Sequence, residues 1–178
     1  MVYVALLRGI NVGGKSRVEM ARLKIVFENL GCGNISTYIN SGNVIFTDDR
    51  PIKKLTPLIE QAVAEEFKLA VPVVLRDRPD IEKLCQKIPA DWTNDLAQRT
   101  DVLFLWDEID SEDVMQKIRL NPDIETARYL PGALVWNIGR ENVTRGGMAR
   151  LIGTDVYKLM TIRNINTVRK LNELMASA

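Results

Sequence analysis

The sequence predicts an α+β fold of two ferredoxin-like (α–β plait) halves in tandem, with mostly antiparallel sheets. Three observations predict it. The first 75 residues alternate in the order β-α-β-β-α-β, which is the order of a plait. The second and third strands flank Asn40-Ser41-Gly42-Asn43, a strong hairpin signal, so the chain turns back and does not cross over. A second βαββα run follows Arg76-Asp77-Arg78-Pro79, a junction that divides the chain into a domain over 1–78 and another over 79–178. No residue-level repeat supports the duplication, which rests on topology alone.

The elements follow in order. Val2–Leu7 is a short, apolar, β-rich run and reads as a buried strand. Gly9-Ile10-Asn11-Val12-Gly13-Gly14 is a loop. Ser16-Arg17-Val18-Glu19 matches a capping box, in which serine and glutamate satisfy each other's backbone N–H groups. Met20, Leu23, Val26, Phe27 and Leu30 then recur at helical spacing, and Gly31 and Gly33 stop the helix. Ile35–Ile39 and Val44–Thr47 are strands. Residues 52–68 form a helix whose face is Leu55, Leu58, Ile59, Ala62 and Val63, with Pro57 tolerated in its first turn. Leu23, Phe27, Leu58 and Val63 should lie between helix and sheet. Val71–Leu75 is the fourth strand.

Beyond the junction, Pro79 opens a helix through about Lys87, and Pro89 ends it. Val102–Trp106 reads as a strand, Ser111–Arg119 as a helix, and Ile124–Leu130 and Leu134–Ile138 as strands around Pro131-Gly132. A short helix near 147–152, a last strand at Val156–Met160 and a helix near 164–175 complete the chain. Trp106 and Trp136 lie in apolar runs and read as core; Arg145-Gly146-Gly147 reads as a flexible basic turn.

Composition bounds the function. The 178 residues are 46% apolar and 26% charged, ordinary globular usage. No apolar run approaches the roughly 20 residues that cross a bilayer, and the N-terminus lacks the basic region of a signal peptide. Cys32 and Cys85 are too few for a disulfide framework, and a reducing cytoplasm is the simpler setting. There is no histidine, which removes the commonest general base and the commonest metal ligand. No metal and no cofactor is therefore expected, and any catalysis would draw on carboxylates, lysine, tyrosine, cysteine or backbone dipoles. The net charge is +1, but residues 77–127 hold 13 acidic and 6 basic side chains, a net of −7. Residues 139–171 hold 7 basic and 2 acidic, a net of +5, and residues 1–30 hold 5 basic and 2 acidic, a net of +3. The basic segments are rich in Gly and Asn and would attract an anion if the fold brought them together.

Gly9-Ile10-Asn11-Val12-Gly13-Gly14-Lys15-Ser16 matches G-x-x-x-x-G-K-[ST], follows a strand and precedes a helix. Backbone N–H groups at a helix N-terminus attract phosphate, and Lys15 adds charge. A nucleotide-hydrolysing P-loop is nevertheless disfavoured. That motif belongs to a parallel sheet with a crossover, whereas a tight hairpin follows here, and Ser16 is claimed by the capping box. An anion-binding loop and a structural turn both remain open. Arg163, read at a helix start where it opposes the dipole, should gain from a carboxylate or a bound anion. Thr161, Asn164 and Asn166 are each candidate caps.

Leu6-Leu7-Arg8-Gly9-Ile10-Asn11-Val12-Gly13-Gly14, Thr37-Tyr38-Ile39-Asn40-Ser41-Gly42-Asn43-Val44-Ile45-Phe46 and Met160-Thr161-Ile162-Arg163-Asn164-Ile165-Asn166-Thr167-Val168-Arg169-Lys170-Leu171 together resemble one family. The chain is similar to the bacterial domain of unknown function 1697 family across essentially its whole length. The third segment is the looser match, since the family usually has an aromatic where Ile165 stands. The resemblance implies two α–β plait domains and no established activity. The family's loop does not regularly complete a P-loop, so the match at Ser16 reads as accidental.

The expected function is a binding module for a phosphorylated small molecule or nucleic acid. The expected ligand residues are Arg8, Asn11, Gly13, Gly14, Lys15, Asn40, Ser41, Asn43, Arg163 and Asn166. The alternatives are an RNA-recognition-like plait and a structural or regulatory dimer. The third strand, Ser41-Gly42-Asn43-Val44-Ile45-Phe46, lacks the aromatics that stack bases in the former. The chain is expected to be a monomer or homodimer with no membrane partner and no catalytic residue.

Overall fold

The computed structural model describes residues 1–13 and 16–178; Gly14 and Lys15, both expected ligand residues, lie outside the described residues. The chain forms two compact units, Met1–Ile81 with Leu171–Ala178, and Glu82–Lys170. Each carries one antiparallel four-stranded sheet of plait order, so the α+β prediction of two ferredoxin-like halves holds.

In the first unit β1 (Val2–Leu7), β2 (Gly33–Tyr38), β3 (Asn43–Thr47) and β4 (Val73–Asp77) take the order β2-β3-β1-β4. Val4 stands opposite Ile45 on one side and Arg76 on the other. Helices α1 (Met20–Asn29) and α2 (Ile52–Phe67) cover one face. Tyr3, Ala5 and Leu7 alternate toward that face, as strand geometry requires, and meet Leu23, Phe27, Leu55, Ile59 and Val63. Phe27 packs on Phe46 with ring centroids 5.0 Å apart.

Several local expectations are corrected here. The helix begins at Met20, with Glu19 as N-cap and no capping side chain, so the Ser16–Glu19 capping box does not form. Ser16 has φ +54°, a left-handed conformation incompatible with that role. Gly31 stops α1, whereas Gly33 already begins β2. Leu58 is 39% exposed; the buried stripe of α2 is Leu55, Ile59 and Val63, one residue per helical turn. Pro57 lies in the second turn, on the exposed side, where solvent serves the carbonyl it leaves unbonded.

The second unit contains α3 (Arg78–Lys87) from Glu82 onward, and β5 (Gln98–Leu105), β6 (Glu125–Leu130), β7 (Ala133–Gly139) and β8 (Met160–Asn164) in the order β6-β7-β5-β8. Val102 stands opposite Val135 and Arg163. The expected helix at Ser111–Arg119 is replaced by 3-10 turns at Asp107–Ile109 and Glu112–Lys117, which bury only Ile109 and Val114, with Ile118 buried just beyond. The run is short, acidic at its start and ends at Asn121-Pro122, too little to nucleate an α-helix. Val156–Met160 is no strand: α4 (Met148–Leu151) and α5 (Asp155–Lys158) precede β8, and α6 (Ile165–Ala176) follows it. Trp136 is buried as expected, whereas Trp106, at the end of β5, is only half-buried.

Arg145-Gly146-Gly147 is likewise not a free turn. The buried Glu125 carboxylate accepts the Trp136 indole N–H at 2.6 Å and the Gly147 N–H at 2.7 Å. A Cβ at Gly147 would sit 2.5 Å from the Arg119 carbonyl oxygen, so the backbone passes too close for a side chain. Among the described residues no helix is long and apolar enough to cross a membrane.

Truncating Phe27 to Ala should cost about 3–5 kcal/mol, as large buried aromatics do, and Leu58→Ala less than about 1 kcal/mol. Urea denaturation of the two variants checks this, and equal losses would contradict the assigned face.

Candidate functional site

β1 delivers the chain to the loop that precedes α1. The Leu7 N–H donates to the Gly42 carbonyl at 2.9 Å and the Arg8 N–H to the Pro72 carbonyl at 2.9 Å, which pins the loop's start on both sides. Ile10 and Val18, 3% and 2% exposed, anchor its two arms. Along the loop Gly9, Asn11, Gly13 and Ser16 all have positive φ, from +54° to +73°. Such reversals turn successive N–H groups toward one side of a loop.

Asn11 organises this loop. Its own N–H donates to the Ser16 carbonyl at 3.1 Å. Its side-chain oxygen accepts the Val18 N–H at 2.9 Å, and its amide nitrogen donates to the carbonyls of Val18 at 2.9 Å and Asn40 at 2.8 Å. Asparagine suits the position twice over, because it tolerates left-handed backbone and offers both a donor and an acceptor.

The bond to Asn40 ties the loop to the β2–β3 turn. A Cβ on Gly42, at φ +75°, would lie 2.8 Å from the Leu7 Cβ, so only glycine lets the turn close onto the loop. Asn43 is fully buried and its amide donates to the Tyr38 carbonyl at 3.0 Å and the Ser41 hydroxyl at 2.9 Å, holding the turn from within.

Loop and turn together bound a cleft of about 630 Å³ in front of α1, lined by Asn11, Asn40, Arg17, Val18, Glu19, Met20 and Ala21. The first intrahelical bond is Leu23 N–H to the Glu19 carbonyl, so the N–H groups of Met20, Ala21 and Arg22 precede it, and no side chain caps the helix. Arg17 and Glu19 are both exposed.

The expected ligand residues thus separate. Arg8, Asn11, Gly13, Asn40, Ser41 and Asn43 share the loop and turn of the first unit, and Asn11 and Asn40 line the cleft. Arg8 is half-buried. Arg163 and Asn166 belong to the second unit. Arg163 stands on β8, not at a helix start; its guanidinium donates to the Thr161 hydroxyl at 3.1 Å, and burial lowers its pKa to about 10. Asn164 caps α6 by accepting the Thr167 N–H at 2.9 Å, while the Asn166 amide donates to the Asn94 carbonyl at 2.9 Å. The basic segment 1–30 falls in the first unit and residues 139–170 in the second. Sequence reasoning missed Arg17, Glu19, Met20 and Ala21. The signal was present: the helical periodicity starts at Met20, which marks the helix end facing the cleft.

A second cleft of the same unit, about 450 Å³, lies beside Asp48 and Arg50. Arg50 donates to the Asp48 carboxylate at 2.6 Å and holds it well below the usual carboxylate range. Burial first, then the hydrogen bond to Asp48, pushes the Cys32 thiol up to about 11. Burial likewise pushes Cys85 up to about 11, against the opposing pull of Arg169. Neither thiol is an activated nucleophile. No cluster of three or more acidic or cysteine side chains able to hold a metal occurs among the described residues.

Two antiparallel plaits in one chain, the first with a loop-and-turn cleft at its helix end, define a tandem ferredoxin-like α–β protein. The chain belongs to the family described as protein of unknown function (DUF1697), whose model matches residues 1–136. Among solved structures it is similar to the conserved bacterial protein SP0830 from Streptococcus pneumoniae, at 31% identity over 98% of each chain with a TM-score of 0.84. No curated protein matches.

Replacing Asn11 with Ala leaves the Val18 N–H and two carbonyls without their partner and should destabilise the protein by about 1–3 kcal/mol; thermal unfolding measures it, and a loss near zero would deny the residue its organising role. With both thiols raised from 9.0 to about 11, about a hundredfold less thiolate is present at pH 8 than in the unfolded chain. A thiol-specific disulfide reagent should therefore label the native protein far more slowly than the denatured one.

Proposed function

We propose that this protein is a binding module for a phosphate-bearing small molecule, held in the cleft between the β1–α1 loop and the β2–β3 turn. The observation that carries this reading is the uncapped first turn of α1 opening into that cleft with Arg17 beside it. Free N–H groups and the helix dipole favour an anion there, and a guanidinium adds charge-assisted hydrogen bonds. No acidic residue occurs from Met1 to Val18, so Glu19 is the first opposing charge. A cleft of about 630 Å³ suits an organic phosphate better than a bare ion, since pockets of this size hold small molecules. Lys15, two residues before Arg17 in the sequence, adds a further positive charge. The free cysteines suit a reducing cytoplasm as the working compartment.

Isothermal titration with inorganic phosphate, a sugar phosphate, nucleotides and a short oligonucleotide at low salt tests the proposal. Binding should weaken as salt rises, because screening acts on exposed charges. Arg17→Ala should weaken it about tenfold, the scale of one charge-assisted hydrogen bond, and Glu19→Gln should tighten it by removing a like charge. An absence of binding by every ligand at low salt, or affinities unchanged in both variants, would refute it.

A further inference from the structure

The loop-and-turn cleft of the first unit holds hydrogen-bonding groups that a phosphate at α1 leaves unused. Asn11 is occupied within the protein, since its side chain serves Val18 and Asn40. Its amide nitrogen reaches both carbonyls at once, which draws Asn40 on the turn beside the Val18–Glu19 stretch ahead of α1. Asn40 contributes only its backbone carbonyl to that lock. Among the described residues its side-chain amide has no partner, and neither has the Glu19 carboxylate, although both side chains belong to exposed residues that line the cleft. Glu19 does not cap the helix it precedes.

A carboxylate beside an anion site repels a bare phosphate. It gains from a ligand only where that ligand brings donors, because an ionised carboxylate accepts and never donates. The apolar part of the lining narrows the ligand further. It consists of Val18, 2% exposed, with half-buried Met20 and exposed Ala21, and no aromatic ring lines the cleft among the described residues. A nucleobase draws much of its affinity from stacking on a ring. An alkyl chain would strip water from Glu19 and Asn40 without replacing their hydrogen bonds.

We infer that the phosphate-bearing ligand of this cleft is a sugar or polyol phosphate, its phosphate at the first turn of α1 with Arg17 and its hydroxyl groups shared between the Glu19 carboxylate and the Asn40 amide. This rests on the phosphate reading of the cleft and adds the chemistry of the rest of the ligand. A hydroxyl both donates and accepts, so a polyol satisfies a carboxylate and an amide together. Glu19 then sets specificity, since it opposes inorganic phosphate more than an ester whose hydroxyls reach it.

Amide chemical-shift titration of the full chain at low salt tests this with inorganic phosphate, hexyl phosphate, adenosine monophosphate, ribose 5-phosphate, glucose 6-phosphate and inositol 1-phosphate. At least one of the polyol phosphates should bind about tenfold or more tighter than inorganic or hexyl phosphate, the scale of two added hydrogen bonds. Adenosine monophosphate should bind no tighter than ribose 5-phosphate. Asn40→Ala removes the amide but keeps the carbonyl that Asn11 needs, at a position without positive φ. It should weaken that polyol phosphate about fivefold and leave inorganic phosphate unchanged, which also reports an intact fold. Glu19→Gln and Glu19→Met both remove the charge, but only the former keeps an acceptor. The two variants should bind inorganic phosphate alike, and Glu19→Met should bind the polyol phosphate about fivefold more weakly than Glu19→Gln. Polyol phosphates no tighter than inorganic or hexyl phosphate overturn the inference, as does a nucleotide tighter than all of them. So does a polyol phosphate whose affinity Asn40→Ala leaves intact and the two Glu19 variants share. In each of these cases phosphate still binds and the phosphate reading stands, whereas a chain that binds none of the ligands removes both.

Discussion

The structure of the first unit depends on β1 being paired along both edges. Tyr3 to Leu7 are all buried, so each backbone polar group there must find a partner within the sheet, and β3 and β4 supply them in antiparallel register. That requirement extends past the strand's end. Leu7 continues the ladder to the Gly42 carbonyl and Arg8 to the Pro72 carbonyl, so the loop leaves the sheet between two neighbours that hold its direction. The position of the cleft in front of α1 follows from this exit, since the loop returns to Met20 over the β2–β3 turn. In the second unit β5 plays the same part between β7 and β8.

Asn11 converts that exit into a defined surface. Three hydrogen bonds from one short side chain connect the two arms of the loop and the neighbouring turn. Left-handed conformations at Asn11, Ser16 and Ile39 are costly for residues other than glycine and persist where surrounding bonds over-determine them. Such local strain accumulates at functional positions, and here it borders the cleft on both sides. The same arrangement separates this loop from a nucleotide-hydrolysing P-loop. The strands on either side of β1 run antiparallel to it, and Ser16 is held left-handed, its carbonyl taken by Asn11.

The two halves share strand order but not their covering layer. Two regular helices of 10 and 16 residues shield the first sheet. The second is covered by 3-10 turns and two four-residue helices, whose polar backbone groups need other partners. Glu125 meets that need with a carboxylate that collects an indole, the Gly147 amide and the Asn121 amide. A buried acceptor saturated by three donors explains why Gly146 and Gly147 are packed tightly.

The plait order, the hairpin at Gly42 and the helix stripe of Leu23, Val26 and Phe27 were legible because each is a local property: periodicity, turn chemistry and strand length act over a few residues. The candidate ligand loop was legible too, as a glycine-rich run without acidic residues. Three things were not legible. The helix start depended on whether Ser16 capped it, and loop strain imposed by Asn11 and Asn40, 29 residues apart, decided that it did not. The exposure of Leu58 depended on which helical turn met the sheet, a matter of packing between elements. The grouping of Arg17, Met20 and Ala21 with Asn40 around one cleft depended on the sheet bringing loop and turn together. The sequence by itself determined the elements and their order, because hydrophobic period and turn residues are short-range. The tertiary structure alone decided which backbone groups were left without a partner, because satisfying them requires atoms distant along the chain.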